Sequence, residues 1–323
     1  MKGNSILRNI RYLLLLAEHR NFTRAADALH VSQSALSQKI KQLEDDLGVQ
    51  LFDRSGRVVR LTDFGTTYLR YARRAFRDLE MAQRALQDVQ DLSQGELRVA
   101  FTPTFTEYLV APVIEHFHSM YPGIVIELLE MSLDEAENEL TDDQVDLAFG
   151  FIDVQSDEIE VEPLFPERLM LAVGDAHPLM AQGTPVTPQQ LAETPLALLT
   201  KGFISRYYVD SYFEIYKINP TVVLRANSIS AVLKIVSRGQ IATILPNTIE
   251  FEHRNIRHLA LNPPFPLRTV ALLRRKRAYR SLASTAFESA IKGMLTNGSL
   301  SSLRTFTEDW CAGQLEDMPQ PSN

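Results

Sequence analysis

The sequence predicts an α+β front unit joined by one long helix to a larger α/β body. Three observations carry that prediction. The first 62 residues read as three short helices with sharp breaks, then a hairpin. Residues 66–94 contain no Gly or Pro and repeat apolar side chains every three or four positions. From Gly95 onward, short β-type runs alternate with helical stretches. A chain of 323 residues exceeds one small core and suits two or three domains.

In the front unit, Ile6–Glu18 is apolar enough for a core helix. Thr23 is the expected N-cap of a second helix, Arg24–Leu29, and His30-Val31 is the connection. Ser32 is the expected N-cap of a third helix reaching Leu47, with Gly48 as its natural C′ residue. Leu51–Leu61 alternates like a hairpin that turns at residues 53–57. Thr62 caps the long helix. Its seam of Tyr68, Ala72, Ala75, Leu79, Ala82, Leu86 and Val89 is spaced 4, 3, 4, 3, 4, 3, which is a heptad pattern. Such a helix, roughly 42 Å long at its 1.5 Å rise, offers a stripe with no partner in its own unit. A homodimer through this linker helix is expected; a connector lying on its own domain is the alternative.

In the body, β-type runs fall at Glu96–Thr102, Val125–Glu130, Asp146–Phe151, Arg168–Gly174, Pro195–Thr200, Thr221–Asn227, Gln240–Leu245, Ile256–Leu261 and Thr269–Arg274. Helical patterns fall at Leu109–Met120, Leu133–Leu140, Ser228–Arg238 and Leu282–Met294. The alternation predicts mainly parallel sheets. Some 200 residues suit two α/β lobes, the chain crossing between them near Glu162–Glu167 and Pro263–Leu267. The expected division is 1–62, 63–94 and 95–296, with a C-terminal extension over 297–323. Lobe I takes about 95–165 and 267–296, and lobe II about 166–266.

Composition narrows the function. The net charge of −7 would normally argue against nucleic acid, but it hides an asymmetry. Residues 1–62 carry 10 Lys/Arg against 6 Asp/Glu, and residues 63–95 carry five of each. The rest of the chain carries 18 against 29. A basic front on an acidic body implies different partners for the two. The longest apolar run, Tyr12–Ala17, falls far short of the roughly 20 residues a membrane span needs, and no N-terminal segment reads as a secretion signal. The single cysteine, Cys311, allows no internal disulfide, so a cytoplasmic location is expected.

The third helix has the chemistry of a DNA reader. At 100° per residue, Leu36, Ile40, Leu43 and Leu47 lie within about 60° of one another and form a core stripe. Ser34, Ser37, Gln38 and Lys41 cluster opposite, with Gln33 at the near edge. Amides and hydroxyls of this kind pair with base edges, and the helix start offers N–H groups to a phosphate. Small Ala25 and Ala26 let two helices approach closely, so the layout is a helix-turn-helix. Thr23 and Arg24, at the start of the second helix, join the DNA-binding set. The hairpin carries Arg54, Arg57 and Arg60, which suits a wing along the DNA backbone. For any one of these residues a solvated surface position is the competing reading.

Residues 22–65, from Phe-Thr-Arg-Ala-Ala-Asp-Ala-Leu-His-Val-Ser-Gln-Ser-Ala-Leu-Ser-Gln-Lys-Ile through Leu-Gly-Val-Gln-Leu-Phe-Asp-Arg to Leu-Thr-Asp-Phe-Gly, resemble the N-terminal domain of LysR-type transcriptional regulators. The resemblance implies a winged helix-turn-helix, a linker helix that dimerises, and a two-lobed effector domain of the periplasmic-binding-protein type. It further implies a homotetramer on a double-stranded DNA operator and a small molecule between the lobes. RNA polymerase is a further candidate partner, and an activator role is the expectation. Gln33, Ser34 and Ser37 would approach bases, and Arg54 the backbone. Ser34 departs from the family's usual proline, exchanging a preset first helical turn for a hydroxyl.

Within the family, Leu51–Arg57, Thr102–Thr106, Glu130–Ser132, Ala226–Leu233 and Leu272–Lys276 resemble the cyanate-responsive branch. A small anion, cyanate in particular, is the effector these segments suggest; an organic effector of another catabolic or stress operon is the alternative. From a different class, the alternatives are a solute-binding module or an enzyme built on the lobes.

A ligand in an α/β cleft sits at strand carboxyl ends and helix starts. Three segments fit: Thr102-Pro103-Thr104-Phe105, Thr200 to Phe203, and Asn227-Ser228. Hydroxyls, N–H donors and helix dipoles are what a small anion requires. The resemblance adds the regions of Ser132 and Gly150. Ordinary helix capping is the competing reading for the hydroxyls, and a core role competes for Phe105, Phe149, Phe151 and Phe203. No cofactor or metal is expected. His116 and His118 lack zinc-type spacing, His177 reads as a loop residue, and nucleotide-binding and nucleophile-elbow motifs are missing.

Overall fold

The computed structural model of the chain describes residues 3–56, 58–87, 92–251 and 253–298. Two compact units emerge, residues 1–90 and 91–323.

The first unit comprises α1 (Gly3–His19), α2 (Phe22–Ala28), α3 (Gln33–Leu47), a hairpin of β1 (Phe52–Asp53) and β2 (Arg60–Leu61), and α4 (Asp63–Gln87). Leu13, Leu16, Ala25, Ala26, Leu36, Ile40 and Leu51 close its core. The second helix begins earlier than the sequence reading has it. Asn21, in extended conformation, is the N-cap, its Oδ1 accepting from the N–H groups of Thr23 at 2.9 Å and Arg24 at 3.0 Å. Asn and Thr are both competent caps, and the earlier start seats Phe22 in the helix, packed against the core. Ser32 caps α3 as expected, accepting from the Ala35 N–H, and Gly48 ends it with φ +70°. Leu47 is 39% exposed, because the apolar stripe has run past the core by the last helical residue.

The hairpin and α4 meet closely at Gly65. A Cβ there would lie 1.9 Å from the Leu51 carbonyl oxygen, so only glycine lets the first turn of α4 touch the strand backbone. Thr62 fixes the junction: its N–H donates to Leu51 O and its Oγ1 accepts from the Gly65 N–H at 2.9 Å. The heptad seam divides in two. Tyr68 and Ala72, with Leu69 and Phe76, pack on the unit's own core, which corrects the expectation that the stripe has no partner there. Ala75, Leu79 and Ala82 are exposed. Val89 and the side chain of Leu86 lie outside the described residues.

The second unit runs β3 (Gly95–Phe101), α5 (Pro103–Thr106), α6 (Val110–Met120), β4 (Ile124–Glu130), α7 (Leu133–Thr141), β5 (Leu147–Phe151), β6 (Ile159–Gly174), α8 (Pro188–Glu193), β7 (Leu196–Leu199), α9 (Ile204–Ile215), β8 (Val222–Ala226), α10 (Ile229–Val236), β9 (Thr243–Pro246), β10 (Ile256–Leu259), β11 (Leu267–Arg275) and α11 (Leu282–Asn297). The main sheet has the order β10-β6-β11-β5-β3-β4, with β9 also on β6, and β7-β8 form a separate pair.

The expectation of mainly parallel sheets needs correction. Among the described strand pairs, β3–β4, β3–β5 and β7–β8 are parallel, whereas β11 runs antiparallel to β5 and β6, and β6 runs antiparallel to β9 and β10. The cause is the way the chain crosses between lobes. Strand β6 runs through Glu162–Glu167, Pro263–Pro266 precede β11, and the outgoing β6 lies beside the returning β11. Pro163 and Pro166 are accommodated within β6 by a register shift between Val270 and Ala271, which leaves Leu164 unmatched.

Among the described residues no helix is long and apolar enough to cross a membrane. Among the same residues, no group of three His, Cys, Asp or Glu side chains is placed to hold a metal.

Candidate functional site

The exposed face of α3 keeps the composition read from the sequence. Leu36, Ile40 and Leu43 are buried, while Gln33, Ser34, Gln38 and Lys41 are exposed and Ser37 is half-buried. The Ser32 and Ser34 hydroxyls lie 3.1 Å apart at the helix start. Thr23 and Arg24 are exposed in the first turn of α2.

The wing is tied to this helix by a residue that the sequence reading did not single out. Glu44, 8% exposed, accepts from the N–H groups of Leu51 at 2.9 Å and Phe52 at 3.1 Å through Oε1. Its Oε2 accepts from Arg54 Nη2 at 2.6 Å. Arg54 also lies 5.1 Å over the Phe22 ring, so much of its guanidinium serves the wing's own structure. In the turn, the Ser55 N–H donates to Asp53 Oδ1 at 2.8 Å and holds that carboxyl below its ordinary range. Arg57 lies outside the described residues.

These surroundings separate two kinds of DNA contact. Ser37→Ala is expected to cut the preference for specific over random duplex by about tenfold while leaving the salt dependence alone. Lys41→Ala should weaken both about equally and flatten the slope of log affinity against log salt by about 1. Anisotropy titrations over a salt series read both. Equal losses for Ser37→Ala on the two duplexes would remove it from base recognition.

In the body, sheet register brings the candidate effector residues into two groups. Phe101 is paired with Glu130 and with Phe149, so Thr102, Ser132 and Gly150 follow three neighbouring strand positions. Leu199 is paired with Ala226, so Thr200, Phe203, Asn227 and Ser228 gather at the end of β7 and β8. Thr102 and Thr104 are both buried, with hydroxyls 3.3 Å apart, and Thr102 makes no side-chain capping bond to α5, whose first residue is Pro103. Ser228 caps α10 through the Ala231 N–H, and Ser132 caps α7 in a reciprocal box with Glu135. The box holds the Glu135 carboxyl below its ordinary range.

Two candidates sit in tightly packed surroundings. Phe105 is fully buried against Tyr108, Phe149 and Phe151, because α5 turns it into the lobe I core. Phe149 and Phe151 share that core. Gly150 is closed over by Leu273 and Leu133, which a Cβ would meet at 2.6 and 2.8 Å. Its small size serves that packing, and its Cα faces no open space. Phe203 is half-buried at the N-cap position of α9.

One side chain bridges the two groups. Glu107, just after α5, accepts through Oε1 from Ser230 Oγ at 2.9 Å, and its Oε2 lies 3.0 Å from His253 Nε2. Ser230 is in the first turn of α10, so the Thr102 and Ser228 segments face each other across this contact. Deeper, Glu167 on β6 and Arg268 on β11 are register partners and form a buried ion pair. The Tyr108 hydroxyl donates to Glu167 Oε2 at 2.6 Å. Burial first, then the Glu167 charge, pushes the Tyr108 phenol well above its usual range. His177 is structural: its Nδ1 accepts from the Leu179 N–H at 3.3 Å, and burial lowers its pKa.

Residues 7–66 match the bacterial regulatory helix-turn-helix protein, lysR family, and residues 90–296 match the LysR substrate binding domain. The chain belongs to the LysR family. This LysR regulator is 31% identical over 290 residues to a hydrogen peroxide-inducible genes activator of Pectobacterium carotovorum subsp. carotovorum, covering 87% of this chain and 96% of that protein. It is 30% identical over 272 residues to the dual regulator OxyR of Escherichia coli K12, covering 83% and 89%. A full-length variant of OxyR from Pseudomonas aeruginosa has the same architecture, with a TM-score of 0.65 at 26% identity over 93% of this chain and 95% of that one. Full-length CbnR in complex with its target DNA shares the fold, with a TM-score of 0.60 at 24% identity over 89% and 99%.

The protein is a DNA-binding transcriptional regulator with an effector-binding domain, and not an enzyme. LysR regulators bind operator DNA and small effectors and form oligomers. These relatives are OxyR-like and do not single out the cyanate-responsive branch. Sequence reasoning missed Glu44, Glu107, Ser230, His253, Glu167 and Arg268. Glu107 stands 123 residues from Ser230 and 146 from His253, and no local pattern marks a pair so far apart.

Proposed function

We propose that this LysR regulator reads its operator with the exposed face of α3, as a dimer through α4 or a tetramer built from such dimers. A small anionic metabolite bound between the Thr102–Thr104 and Thr200–Ser228 segments would change its grip on the DNA. It would act in the cytoplasm as an activator, with RNA polymerase as its further partner. The observation that supports this reading is the Glu107 contact with Ser230, which links the segment after Thr102–Thr104 to the helix that follows Ser228.

Cyanate is one effector to test, because the segments that resemble the cyanate-responsive branch include Thr102–Thr106 and Ala226–Leu233. The relatives' names make hydrogen peroxide the second. A sensing disulfide needs two thiols whose Cα atoms lie within about 7 Å. These 323 residues hold only Cys311, so they cannot answer peroxide by closing a disulfide within one chain. A response to peroxide would therefore have to pass through Cys311 itself or through a disulfide between chains.

Thermal shift with small anions, followed by operator titration, tests the proposal. An effector that binds the folded state raises the melting temperature. Thr102→Val and Thr200→Val are expected to weaken that response about tenfold while leaving DNA affinity unchanged, each removing one hydrogen bond to the ligand. Effector titrations unchanged in both variants would take these segments out of the site.

A further inference from the structure

The buried end of the interlobe region holds a cation whose hydrogen-bonding capacity is not used up. Arg268 is 2% exposed in its side chain and Glu167 is fully buried. The guanidinium carbon lies 4.4 Å from the centre of the Phe151 ring and 5.6 Å from that of Tyr208, so aromatic rings occupy positions where water would otherwise solvate it. Nη2 meets Glu167 Oε1. Nε and Nη1 have no acceptor among the described residues. Orphaned donors on a desolvated cation are costly, more so than on a neutral group.

Neighbouring features point the same way. Tyr208 belongs to α9, a helix of 12 residues whose N-cap, Phe203, makes no side-chain capping bond. In the first turn of that helix Ser205 is 1% exposed, and its Oγ has no partner. Tyr208 stands three positions after Ser205, which places them on adjoining parts of one helical face. Phe151, on the other side of Arg268, is the last residue of β5. Arg268 is thus flanked by β5 of lobe I and α9 of lobe II, and it rides on a strand that joins the two lobes.

We propose that Arg268 is the anchoring cation for the effector, and that the effector is a small monoanion, such as a short carboxylate or a pseudohalide. The inference rests on the interlobe reading above and deepens it. The charge balance selects the class. Glu167 already offsets Arg268 and Asp153 stands beside Tyr208, so what remains for a ligand is unused N–H donors and the partial positive end of α9. One delocalised negative charge matches that remainder. A dianion such as sulfate would bring more charge into a buried site than the helix end offsets.

The test uses the full chain at constant ionic strength, with sodium acetate, sodium cyanate and sodium sulfate as probes and chloride as the balancing salt. Arg268→Gln alone leaves Glu167 unpaired in the interior, so the decisive variant is the neutral double substitution Arg268→Gln with Glu167→Gln, which keeps an acceptor for Tyr108. Wild type should bind at least one of the two monoanions and bind sulfate at least about tenfold more weakly. The double variant should lose about tenfold or more in monoanion affinity, the loss expected for a charge-assisted hydrogen bond, while keeping its circular dichroism and duplex affinity. Undiminished monoanion binding by a folded double variant overturns the inference. If Thr102→Val and Thr200→Val weaken the anion in that case, the interlobe reading stands without Arg268. If no variant changes the affinity, both readings fall. Sulfate binding as tightly as the monoanions overturns the monoanion class in favour of anions irrespective of charge, and no monoanion binding by wild type at tens of millimolar overturns an anionic ligand and leaves the interlobe reading to a neutral one.

Discussion

Replacing Glu44 by alanine is expected to cost the N-terminal unit about 3 kcal/mol and to abolish operator binding near its melting temperature. The side chain satisfies two N–H groups, of Leu51 and Phe52, in residues that are themselves buried. Each donor left without an acceptor in such a place costs about 1–3 kcal/mol. Glu44→Gln keeps one carbonyl acceptor and should cost less than half as much. Arg54→Ala, by contrast, removes a side chain that is 36% exposed, and such pairs contribute roughly 1 kcal/mol or less. Denaturant melts of the three variants give the order directly. A larger cost for Arg54→Ala than for Glu44→Ala would mean that the ion pair, and not the capping of the strand, holds the wing. The distinction bears on function, because the same carboxylate fixes the wing relative to the reading face of α3.

The second large effect is expected at Leu79. On α4, Ala75, Leu79 and Ala82 keep the heptad spacing but are exposed, Leu79 by 46%, whereas Tyr68 and Ala72 are taken up by the unit's own core. The exposed half of the seam is the part open to a second copy. Leu79→Asp should convert the dimer to monomer by sedimentation. Operator affinity should then fall about a hundredfold, since two linked reading units gain at least that much from acting together. A variant of unchanged mass and affinity would leave α4 as a connector only. Tyr68→Ala would not serve here, because it disturbs the unit's own core.

How much of this is legible in the sequence depends on the range of the interaction concerned. Ser32 and Gly48 act on residues within four positions, as does Thr62 where it caps α4, and the sequence alone reveals the helix ends they make. Asn21 and Thr23 are both competent caps two residues apart, and only the packing of Phe22 selects between them. Helix α9 is hidden because Ile204–Ile215 is rich in β-branched and aromatic residues, which favour strands. Its buried positions Ser205, Val209, Tyr212 and Phe213 reveal helical spacing once the neighbouring sheet is in place. The strand runs of the body are largely legible, but their direction is not. Antiparallel pairing of β6 with β11 follows from where the lobes sit, and nothing in Glu162–Glu167 encodes it locally.

The DNA face is the more legible of the two sites, since one helix carries it and periodicity alone separates its faces. The interlobe residues come from five or more segments, and the residues that join them, Glu107 and Arg268, look like ordinary charges in isolation. Phe105 illustrates the same difficulty in reverse. It stands beside Thr102 and Thr104 in sequence, yet the turn of α5 sends it into the core.

Reading of a defined operator by α3 is tested most directly by a pair of affinities. The purified full chain is titrated with a duplex enriched from random sequence and with a scrambled duplex of the same composition, over a salt series. The prediction is about a thousandfold preference or more for the enriched duplex. The logarithm of affinity should fall linearly with the logarithm of salt on both duplexes. Equal affinities for the two duplexes, with no dependence on salt, would contradict it.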